Sequence, residues 1–141
     1  MTRRHAFSLF EVVIVICVIG VLMTIIMPAG ARLIDRIQVR GAVFDIESAF
    51  SSARHIAIAR MSQPTVEIDT AADAVYVTLG DDTLRKRKVG AEHGVQLYTT
   101  RARMTYSATG LGYGAANLSV VVRRNSAVDT VFVSRLGRLR H

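Results

Sequence analysis

Cysteine is almost missing from this chain of 141 residues: Cys17 stands alone, so no intrachain disulfide is possible. A domain so built relies on packing, not on the cross-links many small secreted domains use. Cys17 itself lies inside an apolar run and reads as a small packing residue. Acids are also scarce, 11 against 18 lysines and arginines, which gives a formal charge of +7. Such a balance suits nucleic acid, anionic lipid or acidic protein partners, and charge alone does not choose among them.

The marks of active-site chemistry are missing as well. His5, His55, His93 and His141 are scattered, and none has a second ligand at the His-x-x-x-His or Cys-x-x-Cys spacings of zinc sites. Gly110-Leu111-Gly112-Tyr113-Gly114 is glycine-rich but lacks the Lys-Ser/Thr of a phosphate loop, so it reads as a flexible loop between strands. No spacing marks a catalytic constellation. The sequence therefore reads as a non-enzyme, with no metal and no cofactor, and it shows no internal repeat.

What the chain does have is one long apolar stretch, Phe7 to Ala31, whose single charge is Glu11. At about 1.5 Å rise per residue, a helix over it is long enough to cross a hydrocarbon core of about 30 Å. A carboxylate in that setting costs about 2.5 to 3.5 kcal/mol on insertion scales and calls for a cationic partner. Ahead of the run stands a short basic leader containing Arg3 and Arg4.

The string Ala6-Phe7-Ser8-Leu9-Phe10-Glu11, followed by the aliphatic run, resembles the processing site of type IV pilins and type II secretion pseudopilins. The resemblance implies cleavage between Ala6 and Phe7 by a prepilin peptidase and methylation of the new amino terminus at Phe7. Ala6 stands where the family usually has Gly, and it keeps the small residue that the peptidase requires. Gly20 and Pro28 fall where many members carry a helix-loosening Gly and Pro. In such filaments the glutamate is thought to meet the methylated ammonium of a neighbouring subunit, so Glu11, Gly20 and Pro28 read as assembly residues. Pairing offsets part of the desolvation cost that either charge alone would carry.

Two other readings of the N-terminus compete. Arg3-Arg4 with Ala29-Gly30-Ala31 fits the outline of a removed signal peptide, but this run is longer than an h-region of about 7 to 15 residues and holds an acid. A twin-arginine address matches only at the arginine pair. The positive-inside rule does not fix orientation, because Arg32, Arg36 and Arg40 follow the run and balance the leader. The resemblance places the globular part in the periplasm and makes the chain a single-pass inner-membrane protein.

Past the run, Pro28 and Gly30 are expected to kink or loosen the helix, which then resumes. Apolar or small residues recur at Val39, Ala42, Val43, Ile46, Ala49, Phe50, Ala53, Ile56 and Ala57, the spacing of one helical face. Met61-Ser62-Gln63-Pro64 ends that helix. Strand-like runs follow at 65–69, 74–79, 83–89, 95–100, 104–108, 118–124 and 130–134, separated by turn-prone pieces at 71–73, 80–82, 90–94, 109–117 and 125–126. The basic run Leu84-Arg85-Lys86-Arg87-Lys88-Val89 is expected to be a solvated edge strand, since four unpartnered cations cannot turn inward.

The layout is α+β: a long N-terminal helix, its first half transmembrane, laid on an antiparallel sheet or small sandwich, as in pilins. It divides into a leader (1–6), a transmembrane and assembly helix (7–31) and a globular domain (32–141), the last comprising a helix continuation (32–62) and a β-rich part (63–141). Within the superfamily this layout, Thr109-Gly110-Leu111-Gly112 and the ending Val133-Ser134-Arg135-Leu136-Gly137-Arg138 resemble GspH minor pseudopilins and FimT-type minor pilins. The resemblance implies a pseudopilus subunit of a type II secretion system, near the filament tip, with other pilin-like subunits and an inner-membrane assembly platform as partners.

An alternative lies in the tail. Gly137-Arg138-Leu139-Arg140 looks like the Gly-Arg-x-Arg motif of FimT-type pilins that bind DNA during uptake, and Arg135, Gly137, Arg138 and Arg140 become candidate DNA contacts. Arginine grips phosphate with charge-assisted bidentate bonds and glycine lets the backbone approach. No aromatic interleaves with these arginines, so binding is expected to be sequence-blind and salt-sensitive. An arginine-edged terminal strand is equally a solubility device.

Overall fold

The computed structural model describes residues 8–113 and 117–140. Two compact units are distinguished, one ending at Ile34 and one running from Asp35 onward. Helix α1, Leu9–Arg60, belongs to both.

In the first unit α1 is uncharged apart from Glu11 and Arg32, and its large apolar side chains from Leu9 to Met27 are exposed. It is the one helix among the described residues long and apolar enough to cross a membrane. Pro28 lies inside it, and helix is maintained on both sides. The expected loosening does not end the element: proline removes one ladder donor, and the Arg32 Nε donates to the Pro28 carbonyl at 3.2 Å.

In the second unit the remainder of α1 buries Val39, Ala42, Val43, Ile46, Ala49, Phe50, Ala53 and Ala57. This is the face read from the sequence, with Ile56 half-buried at its margin. Strands β1 (Thr65–Asp69), β2 (Ala74–Leu79), β3 (Asp82–Arg87), β5 (Arg103–Tyr106) and β6 (Gly112–Tyr113) form one antiparallel sheet in the order β3-β2-β1-β5-β6. Strands β4 (Gln96–Thr99), β7 (Leu118–Arg124), β8 (Ala127–Val133) and β9 (Leu139–Arg140) form the other, in the order β4-β7-β8-β9. Both contribute to a single core with α1: Val66, Val75 and Val77 from the first sheet, Leu97, Val120, Val122 and Val131 from the second.

Several pieces differ from the sequence reading, and β8 begins three residues earlier than expected. The expected strand 83–89 stops at Arg87, because fully buried Val89 starts a one-turn helix, α2 (Val89–His93), closed by Gly94 in the left-handed conformation. The glycine-rich segment is not wholly a loop: Gly112 and Tyr113 pair with Tyr106 and Thr105. The tail forms β9, which pairs Leu139 and Arg140 with Val133 and Phe132.

The basic run does lie on an edge strand, β3, but only half of it is solvated. Arg85 and Arg87 are half-buried and alternate with exposed Lys86 and Lys88. Arg85 donates to Ser48 Oγ and Ser52 Oγ of α1 at 3.3 and 3.2 Å. Arg87 lies 3.9 Å from Asp45 and 3.7 Å from Glu92. The inward cations are tolerated because each has a polar partner waiting on α1 or α2.

Candidate functional site

The residues of interest fall at two places. At the first, Ala6 and Phe7 lie outside the described residues, whereas Glu11 sits in the first turn of α1. Its backbone N–H donates to the Ser8 carbonyl at 3.1 Å and to Ser8 Oγ at 3.2 Å, so Ser8 caps the helix start. An acid in a first turn is favoured by the helix dipole. Gly20 has nothing within 4 Å of where a Cβ would stand, so no contact within the chain requires glycine there.

The second place is the tail, where the sequence motif becomes a tight hairpin between β8 and β9. Gly137 adopts φ +69, the left-handed conformation, and its N–H donates to the Ser134 carbonyl at 2.8 Å. The turn is closed by the Ser134 N–H on the Arg138 carbonyl at 2.9 Å and by the Arg138 N–H on Ser134 Oγ at 3.1 Å. Gly137 is also cramped: a Cβ there would stand 3.2 Å from the Gly110 carbonyl oxygen and 3.3 Å from Arg54 and Tyr106. The glycine therefore serves both the turn and the approach of two loops.

Arg135, Arg138 and Arg140 are all exposed around this buried glycine. The hairpin brings in residues that the sequence reading did not connect with the tail. Ser51, Arg54, His55 and Ile58 of α1 line a cleft together with Gly137, Arg138 and Arg140. The Nε of Arg54 is buried and has no hydrogen-bond partner among the described residues. Beside it, burial pushes the Tyr106 phenol up to about 12, partly opposed by the Arg54 charge. On the other side, Phe132, Leu136, Arg138 and Arg140 line a second cleft. Arg54 lies more than 80 positions before the tail, so no local pattern could have joined them.

A polar network elsewhere ties α2 to α1. His93 places its ring nitrogens 3.1 Å from Gln38 Oε1 and 2.9 Å from Asp45 Oδ2. The ligating atoms of Asp45, Glu92 and His93 lie within 4.8 Å of one another, which is within reach of a shared metal ion. The Arg87 guanidinium, however, already faces both carboxylates and supplies the balancing charge. These residues come from separate elements, which is why spacing along the chain gave no sign of them.

No protein-family model matches the chain, and no curated protein matches its sequence. Two crystal forms of the type IV minor pilin FimU from Pseudomonas aeruginosa strain PAO1 match its structure. The first superposes with a TM-score of 0.64 at 13% identity, over 74% of this chain and 88% of FimU. The second gives 0.60 at 12% identity, over 72% and 90%. At these identities the likeness is one of fold: a long N-terminal helix packed on antiparallel sheets. The chain has a type IV pilin-like fold.

Proposed function

We propose that the chain is a minor pseudopilin of a type II secretion system, a structural subunit and not an enzyme. A prepilin peptidase cuts it between Ala6 and Phe7 and Phe7 is methylated. The segment 7–31 then anchors it in the inner membrane, with 32–141 in the periplasm, until an assembly platform adds it at or near the tip of a filament. The observation that carries this reading is the exposed apolar part of α1, with an acid in its first turn, continuous with the helix that organises the β-rich core. An apolar surface of that extent needs lipid or neighbouring helices to cover it. Glu11 takes the role of partner to the amino terminus of an adjoining subunit. Glu11→Ala is expected to leave membrane insertion intact and to impair recovery of the chain in sheared filaments; normal recovery would refute the pairing.

A second reading is favoured by the tail geometry. Exposed Arg138 and Arg140, with Arg54 and His55 alongside and no carboxylate lining their cleft among the described residues, form a compact cationic site suited to phosphate. On this reading the chain is a FimT-like minor pilin that binds DNA for uptake. Replacing Arg138 and Arg140 together with Ala in the detergent-solubilised full chain is expected to abolish a salt-sensitive gel shift. An unchanged shift would exclude the tail as the DNA site.

A further inference from the structure

The cationic tail has an aromatic neighbour that its sequence conceals. Phe132 lies directly across the β8–β9 ladder from Arg140, and it is 54% exposed. Opposed residues in an antiparallel pair share a face, with Cβ atoms about 5 Å apart. The ring therefore stands open beside a guanidinium, in a cleft whose other lining includes Leu136 and Arg138. Arg138 and Arg140 line this cleft and also the one formed with Arg54 and His55 of α1. Two clefts of different character meet along one pair of arginines. One is apolar with an aromatic ring; the other carries Arg54, His55 and Ser51. Among the described residues, no carboxylate lines either.

We propose that the two clefts together bind single-stranded nucleic acid, with backbone phosphate held by Arg54, His55, Arg138 and Arg140 and one base stacked on Phe132. The proposal rests on the DNA reading of the tail and specifies its ligand. A ring flanked by arginines offers a base both a π-face and a cationic edge, and every base has a face to stack. A duplex keeps its bases paired and stacked inside, so it can use the arginines but not the ring. Charge complementarity selects a polyanion, and the exposed ring selects one that carries unpaired bases. The tail therefore has an aromatic partner after all, supplied by the neighbouring strand and not by the motif.

Fluorescence anisotropy on the detergent-solubilised full chain tests this with labelled oligothymidylate, an abasic oligonucleotide of equal length and a duplex. Oligothymidylate is expected to bind about tenfold or more tighter than the abasic strand, which is the worth of one stacked base. Phe132→Leu, which keeps an apolar side chain at this exposed position, is expected to remove that advantage, and Phe132→Tyr to preserve it. Arg138→Ala with Arg140→Ala is expected to weaken all three probes and to lower the single-strand salt slope by about 1.4. Equal binding of oligothymidylate and abasic strand, or an unaltered advantage in Phe132→Leu, overturns the stacking site. If the arginine variants still weaken binding in that case, the tail remains a DNA contact. If no probe binds the unaltered chain at all, the DNA reading itself falls.

Discussion

Asp35 is the one buried charged residue among the described residues, and the contacts around it show how the domain tolerates it. Its carboxylate accepts from Arg124 Nε at 2.8 Å and Asn125 Nδ2 at 3.0 Å. Arg124 in turn donates to the His93 carbonyl, so one guanidinium ties α1, α2 and the β7–β8 turn together. The Asn125 amide and then Arg124 hold the Asp35 carboxyl below its ordinary value of 3.8, against the opposing effect of burial. A depressed carboxyl contributes stability above its ordinary value and loses that contribution as pH falls through the lowered one. Asp35→Asn is therefore expected to lower the melting temperature near neutral pH, with the deficit shrinking below about pH 4; thermal melts across pH check it. A pH-independent deficit would remove the ion pair from the explanation. With φ at +69 and neighbours 3.2 to 3.3 Å from any Cβ, Gly137→Ala is expected to cost about 1 to 3 kcal/mol, read by denaturant unfolding.

At the scale of elements, the domain depends on one helical stripe serving two sheets. Phe50 and Ile46 are fully buried at its centre, and truncation there leaves a cavity that a helix backbone cannot collapse to fill. Phe50→Ala is expected to cost about 3 to 5 kcal/mol of domain stability. Membrane fractionation of the same variant is expected to be unchanged, because residues 9–34 form a separate unit. The stripe was legible in the sequence because helical period and burial coincide from Val39 to Ala57. Strands β1, β2 and β7 were legible to the residue for a similar reason, being β-rich runs bounded by turn residues. The misses have physical causes too. Val89 looked like the last residue of a strand, but its burial at the start of α2 is decided by the core and not by its neighbours. Strands β6 and β9 contain two residues each, too few to show a period, and exist because β5 and β8 supply their partners. The basic run looked wholly solvated because the serines and carboxylates that receive Arg85 and Arg87 lie on other elements.

At the scale of the whole molecule, the chain combines a strongly apolar helical segment with a basic domain that contains no disulfide. The first leaves its large apolar side chains exposed; the second carries its own core. The apolar run with Glu11 near its start was visible in the sequence and is helical from Leu9; the processing site read at Ala6 and Phe7 lies outside the described residues. The tail was legible only as a string of arginines, because its companions Arg54, His55 and Phe132 are brought in by α1 and β8. Pairing of Glu11 with a neighbouring subunit requires that the leader be removed to expose a new amine. Sequencing the amino terminus of the chain recovered from its native membrane tests that most directly. A methylated Phe7 as the first residue is the expected result; a terminus at Arg32, or retention of residues 1–6, would contradict it.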